Sequence, residues 1–258
     1  MRDPGLNRAI DAAGGVAQLA RKIGIAQPSI SNWSRVPAER LIAVEAATGV
    51  SRKQLRPDLY SEPAVKDDAV DPVDAARAQE YALLAALLSS PPSNELLGEI
   101  AQLRGDATPL GRAHAALAEA ASETTAEVER EYFDLFVGLG RGELLPYGSY
   151  YLTGFLNERP LSRLRDDLAV LGIERIENNF EPEDHAATLC EIMAGLAGSR
   201  FPASAEVQRR FFEKHLAPWM GRLFADMETA ASAKFYRSVG SLGRLFLKIE
   251  TEAFTFAN

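Results

Sequence analysis

Residues 160–171 read PLSRLRDDLAVL. Leu161, Leu164, Leu168 and Leu171 recur at three- and four-residue spacing, which puts them on one face of an α-helix. Pro160 in front of them suits a first helical turn, where a missing N–H costs nothing. The same punctuation repeats along the chain. Asp71-Pro72 is a cap-and-proline start for the apolar run Ala75–Leu88, which Pro91-Pro92 stops. Thr108-Pro109 opens another helix, and Thr124 with Glu127 three residues on reads as a capping box. Pro182, Pro202 and Pro218 each precede an amphipathic stretch. Alternating or β-branched runs are almost absent, and no repeat or low-complexity tract is visible. The spacing therefore predicts an all-α fold.

The chain has 258 residues, 47% hydrophobic and 25% charged, enough for one large domain or two smaller ones. No apolar run reaches the roughly 20 residues that span a bilayer, and the N-terminus lacks a secretion signal. No membrane insertion and a cytoplasmic location are expected. Cys190 is the only cysteine, which excludes an internal disulfide and a thiolate cluster, and His114, His185 and His215 are far apart. No metal or cofactor is called for. Residues 1–60 hold 9 Lys/Arg against 5 Asp/Glu, a net of +4, which leaves 19 against 31, a net of −12, for the rest. A basic head on an acidic body implies two units with different partners. Segment 61–74, SEPAVKDDAVDPVD, is proline-bearing, acidic and without apolar periodicity. The expected division is thus a head at 1–60, an acidic linker at 61–74 and a larger helical body at 75–258.

In the head, 16–35 reads VAQLARKIGIAQPSISNWSR. Leu19 and Ala20 form the inner face of a short helix, Gly24 takes the turn, and Ile25, Ile30 and Trp33 pin a second helix against the first. Gln27, Ser29, Ser31, Asn32 and Arg35 point outward, short hydrogen-bonding side chains and one cation that suit base edges and phosphates. A helical hairpin without ligand is the plainer alternative. With the continuation through VEAATGVSRKQLRPDLY, residues 5–60 resemble the YdaS/Cro-like family of small helix-turn-helix regulators. That resemblance implies DNA binding, commonly as a dimer. Ala26 departs from it, standing where a capping serine is more usual.

In the body, 178–193 reads NNFEPEDHAATLCEIM. A helix starting at Pro182 would have Glu181 as its cap and Glu183 and Asp184 in its first turn, where the dipole favours negative charge. Glu181 and His185 would share a face, yet a zinc site needs a further donor, and Glu191 falls off that face. No serine or cysteine stands in a strained nucleophile turn. On chemistry alone the stretch is an acid-rich helix start, a binding or hinge element, or an acid–base site. Further motifs are EYFDLFVGLGRG (131–142), with Tyr132, Phe133 and Phe136 mostly on one face, and LLPYGSYYLTGFL (144–156), whose tyrosines suit a peptide groove. GLGRG lacks the lysine and Ser/Thr of a phosphate loop. His215 and Trp219, four apart, can pack together.

Taken in order, EYFDLFVGLG, LLPYGSYYLTGFL, EPEDH and the HLAPW…FY…GRLFLKIE stretch resemble the TorD/DmsD/NarJ family over residues 75–252. The resemblance implies an all-helical, non-enzymatic chaperone for a molybdopterin enzyme. Its partner would be the apo catalytic subunit, or that subunit's twin-arginine leader, and the wording at 144–161 resembles the formate dehydrogenase branch. It nominates Glu181, Pro182, Asp184 and His185 as a hinge and binding element, with Tyr147, Ser149 and Tyr151 beside it. Gly148 stands where many members have an acid. The alternative is a DNA-binding transcription regulator whose helical body senses a ligand or partner. A homodimer is compatible with either.

Overall fold

The computed structural model describes residues 3–37, 40–56, 71–123, 127–175 and 181–256, all helices and connections with no strand among them. The chain divides into two compact units, Met1–Ala69 and Val70–Asn258.

The first unit has five helices: α1 (Pro4–Ala13), α2 (Val16–Lys22), α3 (Gln27–Ser31), α4 (Leu41–Thr48) and α5 (Arg52–Leu55). Leu6, Leu19, Ile30, Val44 and Leu55 are fully buried at its centre. Gly5 lets α1 lie against the end of α5, because a Cβ there would sit 2.2 Å from the Leu55 carbonyl oxygen. Gly24, at φ +71°, makes the turn between α2 and α3. The second helix of the hairpin is short: Asn32 is already its C-cap and Arg35 lies beyond it, although all five outward residues are exposed. Ala26 caps α3 with no side-chain hydrogen bond. Ala38, Glu39 and 57–60 of the matching stretch lie outside the described residues.

The second unit contains α6 (Pro72–Ser89), α7 (Asn94–Ile100), α8 (Pro109–Glu123), α9 (Val128–Tyr132), a π-helical turn (Phe133–Val137), α10 (Gly148–Thr153), α11 (Arg159–Leu171), α12 (Ala186–Ala197), α13 (Ala205–His215), α14 (Met220–Thr229) and α15 (Phe235–Phe256). Asp71 caps α6 through its carboxylate, which accepts the Val73 N–H at 2.8 Å. Residues 61–70 of the expected linker lie outside the described residues, while 71–74 form the cap and first turn of α6. On α11, Leu161, Leu164 and Leu168 are buried as their spacing requires. The core runs along three pairings, α6 with α12, α14 with α15 and α15 with α8. Gly243 permits the second, since a Cβ there would fall 2.4 Å from the Phe224 ring.

Two local expectations fail. The helix after the capping box begins only at Val128, so Glu127 is its cap position, with no side-chain capping bond. Its carboxylate instead meets Lys234 Nζ at 2.6 Å; Thr124 lies outside the described residues. Phe133 is exposed, because the switch to π-helical pitch turns it away while Leu135 and Phe136 stay with the core.

Candidate functional site

The 181–185 stretch is not the start of a helix. Helix α12 begins at Ala186, and His185 is its N-cap, with Nδ1 accepting the Ala187 N–H at 3.1 Å. The displacement has a physical cause. Residues 184–186 run antiparallel to 146–148 in a single bridge pairing Tyr147 with His185. The Ala186 N–H reaches the Pro146 carbonyl at 2.8 Å, and the Gly148 N–H reaches the Asp184 carbonyl at 2.9 Å. Extended backbone is needed for that pairing, so helical dihedrals wait until it is made.

Side chains complete the stitch. Asp184 Oδ2 accepts the Ser149 N–H at 2.6 Å, capping α10 from outside its own segment. The Tyr147 hydroxyl donates to Glu181 Oε1 at 2.5 Å, and the Tyr147 ring meets His185 edge-on at 5.1 Å. Pro182 contributes its carbonyl to the turn, accepting from the His185 N–H at 3.1 Å. Six of the seven nominated residues are therefore brought together. Tyr151 is not among them: its hydroxyl donates to Asp226 at 2.9 Å and its ring packs on Trp219 at 5.5 Å. Gly148 belongs to that second contact, because a Cβ there would lie 3.1 Å from Trp219 Nε1. An acid at 148 would have to displace the indole. His215 and Trp219 do meet, through the indole N–H and the His215 carbonyl at 2.7 Å.

Asp184 and His185 are buried, against the expectation of acids exposed in a first turn. Burial lowers the His185 pKa against the opposing pull of Glu181 and Asp184. The neutral ring accepts at Nδ1, so Nε2 carries its proton. Burial, with Glu181 as partner, raises the Tyr147 hydroxyl. Burial works against the Glu183 carboxylate, but Arg165, 2.8 Å away, holds it below the ordinary range. His215 is also lowered by burial, in spite of Asp167.

These histidines give an acid-sensitive fold. An unfolded chain takes up protons at His185 and His215 near their ordinary value of 6.5, above the folded values, so protons favour unfolding. Stability is expected to fall as the pH drops below about 6.5 and on through the lowered folded pKa values. His114, raised by its hydrogen bond to Glu80, acts in the opposite sense, its contribution full below 6.5 and lost as pH rises through its folded value. Melting temperatures between pH 7.5 and 5.5 should show the decline, with a shallower slope in His185→Asn; an unchanged slope would clear His185 of the effect.

Two clefts flank the stitched turn. One, of about 810 Å³, lies along α6 and α12, with Ala82, Ala85, Ala86 and Ala187 on its sides and Glu181 and His185 at one end. The other, of about 550 Å³, has an apolar lining of Leu168, Ile173, Ile192 and Phe201. Glu181, Thr188, Glu191 and Arg200 line both. The last three were not nominated from sequence. Glu191 had been judged against a helix starting at Pro182, and the later start changes which residues it accompanies. Small side chains, an apolar lining and carboxylates at the junction suit an extended or helical peptide bearing cations. Among the described residues no group of His, Cys, Asp or Glu is placed to hold a metal. Nor is any helix among them long and apolar enough to cross a membrane.

Residues 103–225 match the family described as nitrate reductase delta subunit. A chaperone protein TorD from Vibrio cholerae serotype O1 (strain ATCC 39315 / El Tor Inaba N16961) is 30% identical over 132 residues. The body is TorD-like. That match covers 47% of this chain and 60% of the relative. The TorD of Vibrio atlanticus (strain LGP32) is 27% identical over 136 residues, 49% of this chain and 63% of its own length. These two matches thus span about three fifths of the relatives. The TorD of Actinobacillus pleuropneumoniae serotype 7 (strain AP76) is 28% identical over 181 residues, 66% of this chain and 78% of the relative. In front of the TorD-like body, residues 6–64 match the family described as bacterial toxin YdaS. The two resemblances read from the sequence therefore hold, in the order expected.

Proposed function

We propose that the TorD-like body is a non-catalytic maturation chaperone. Its client is the apo catalytic subunit of a molybdopterin-dependent oxidoreductase, a formate dehydrogenase in the first instance, held by its twin-arginine leader. The observation that carries this reading is the stitched turn, which fixes Glu181 and His185 at the end of the α6–α12 cleft. A guanidinium pair needs carboxylates, and the apolar segment behind it needs a lined groove. The two adjoining clefts supply both, and a body of net −12 steers a cationic segment toward them. Catalysis is disfavoured by the same geometry, since the His185 Nδ1 is committed to a backbone N–H and Ser149 is fully buried.

The basic head, with its exposed Gln27, Ser29, Ser31, Asn32 and Arg35, is proposed to bind DNA, dimerising to do so. Its exposed polar face also favours a second reading, a regulator whose body senses a partner. A native pull-down with the tagged chain, read by mass spectrometry, separates them. Capture of a molybdopterin enzyme's catalytic subunit is expected. Recovery of a specific DNA fragment with no such subunit would make the regulator the better reading.

A further inference from the structure

Three arginines line the smaller cleft, and they are held differently. Arg165 grips Glu183 with two bonds of 3.0 and 2.8 Å. Arg175 donates to the Glu181 carbonyl at 2.9 Å. Arg200 reaches the Glu191 carbonyl only at 3.4 Å and its carboxylate only at 3.6 Å. A guanidinium–carboxylate bond is ordinarily about 2.7–2.9 Å. Both side chains of this loose pair are more than half exposed, at 57% and 64%.

Yet the position of Arg200 is built. Helix α12 ends at Ala197, and Ser199 takes a left-handed turn at φ +59°, an unusual conformation for a side-chain-bearing residue. The Phe201 N–H then returns to the Gly195 carbonyl at 3.0 Å. Gly195 leaves the room: a Cβ there would lie 2.5 Å from the Phe201 ring and 3.1 Å from Arg200 Nε. The guanidinium rests 4.9 Å from the centre of the Phe201 ring, at the junction of the two clefts. The backbone thus brings a cation to a carboxylate without closing a full bond.

We infer that Arg200 is a resident stand-in for a client arginine, resting at Glu191 and displaced from it when the client's guanidinium binds. This rests on the leader-binding reading above and adds to it the residue that limits affinity. An exposed ion pair of this kind is weak and readily exchanged. Its removal frees Glu191 and takes away a like charge.

The experiment is calorimetric titration of the full chain with a synthetic peptide of about 20 residues bearing two adjacent arginines followed by an apolar segment. Arg200→Gln is expected to bind it about two- to fivefold more tightly than the unaltered chain, the scale of a displaced surface pair. In a Glu191→Gln background the same replacement should give no gain. Weaker or equal binding by Arg200→Gln overturns the inference, as does a gain that persists without Glu191, which would reflect charge removal alone. Binding by the unaltered chain tests the leader reading separately from the ratio. A peptide bound by Arg200→Gln and not by the unaltered chain supports displacement; one bound by neither removes both readings. Circular dichroism of each variant establishes that it is folded.

Discussion

Replacing Glu250 with alanine is expected to destabilise the body by about 3–5 kcal/mol, the usual cost of leaving one partner of a buried ion pair uncompensated. Glu250 is 1% exposed on α15. Its two oxygens accept from Arg77 Nε at 2.8 Å and Nη2 at 2.9 Å, and from the Tyr81 hydroxyl at 2.9 Å. Arg77 also meets Asp74 at 2.6 Å and Gln208 at 3.0 Å, and lies over the Phe254 ring at 4.9 Å. One guanidinium thus joins the first turn of α6 to α13 and to the far end of α15. Thermal unfolding should show a drop on the order of 10 °C for a unit of this size. Replacing both charges together, as Arg77→Met with Glu250→Leu, should recover much of it, because no lone buried charge remains. A loss below about 1 kcal/mol for Glu250→Ala would show that water replaces the carboxylate.

The second large effect is expected at Asp184. Alanine there leaves the Ser149 N–H buried without its charged acceptor, which costs about 1.5–3 kcal/mol. It also releases the turn that seats Glu181 and His185. We expect client-peptide affinity to fall at least about tenfold, equivalent to about 1.4 kcal/mol, at a temperature where the variant stays folded. Asp184→Asn keeps an acceptor for the Ser149 N–H and should retain most of both properties. Ser149→Ala should do little, since its hydroxyl has no hydrogen-bond partner among the described residues. If the asparagine variant folds normally yet binds as poorly as alanine, the Asp184 charge itself touches the client. Normal binding by both variants would show that the stitch does not position the site.

Much of this architecture was legible because helices announce themselves through spacing and punctuation. The Leu161–Leu168 face, the Asp71-Pro72 start and the Gly24 turn each follow from rules confined to one turn of chain. Motif order extended that to the family resemblance of each unit, and to the pairing of residues 147–149 with 181–185. What misled was any feature settled across the fold. Glu181-Pro182-Glu183-Asp184 has every local sign of a helix start. It is held extended because residues 146–148 need partners for their own N–H and C=O groups. Tyr151 was grouped with its neighbours by sequence, but one helical turn after Tyr147 it faces Trp219 and Asp226 instead. Arg200 carries no motif at all. Its placement depends on a missing Cβ five residues earlier and a left-handed serine between them, which no periodicity reports.

The stitched turn also orders events in time. Its two halves, joined at Ser149 and Asp184, stand 35 residues apart in the chain. Closing a loop of that length costs entropy before any contact repays it. During synthesis, the cleft wall is absent until the chain through α12 has left the ribosome and α10 has docked. A newly made copy is thus unable to seize a client leader while it is itself half-finished. Competence to bind then certifies that the chaperone's own folding is complete.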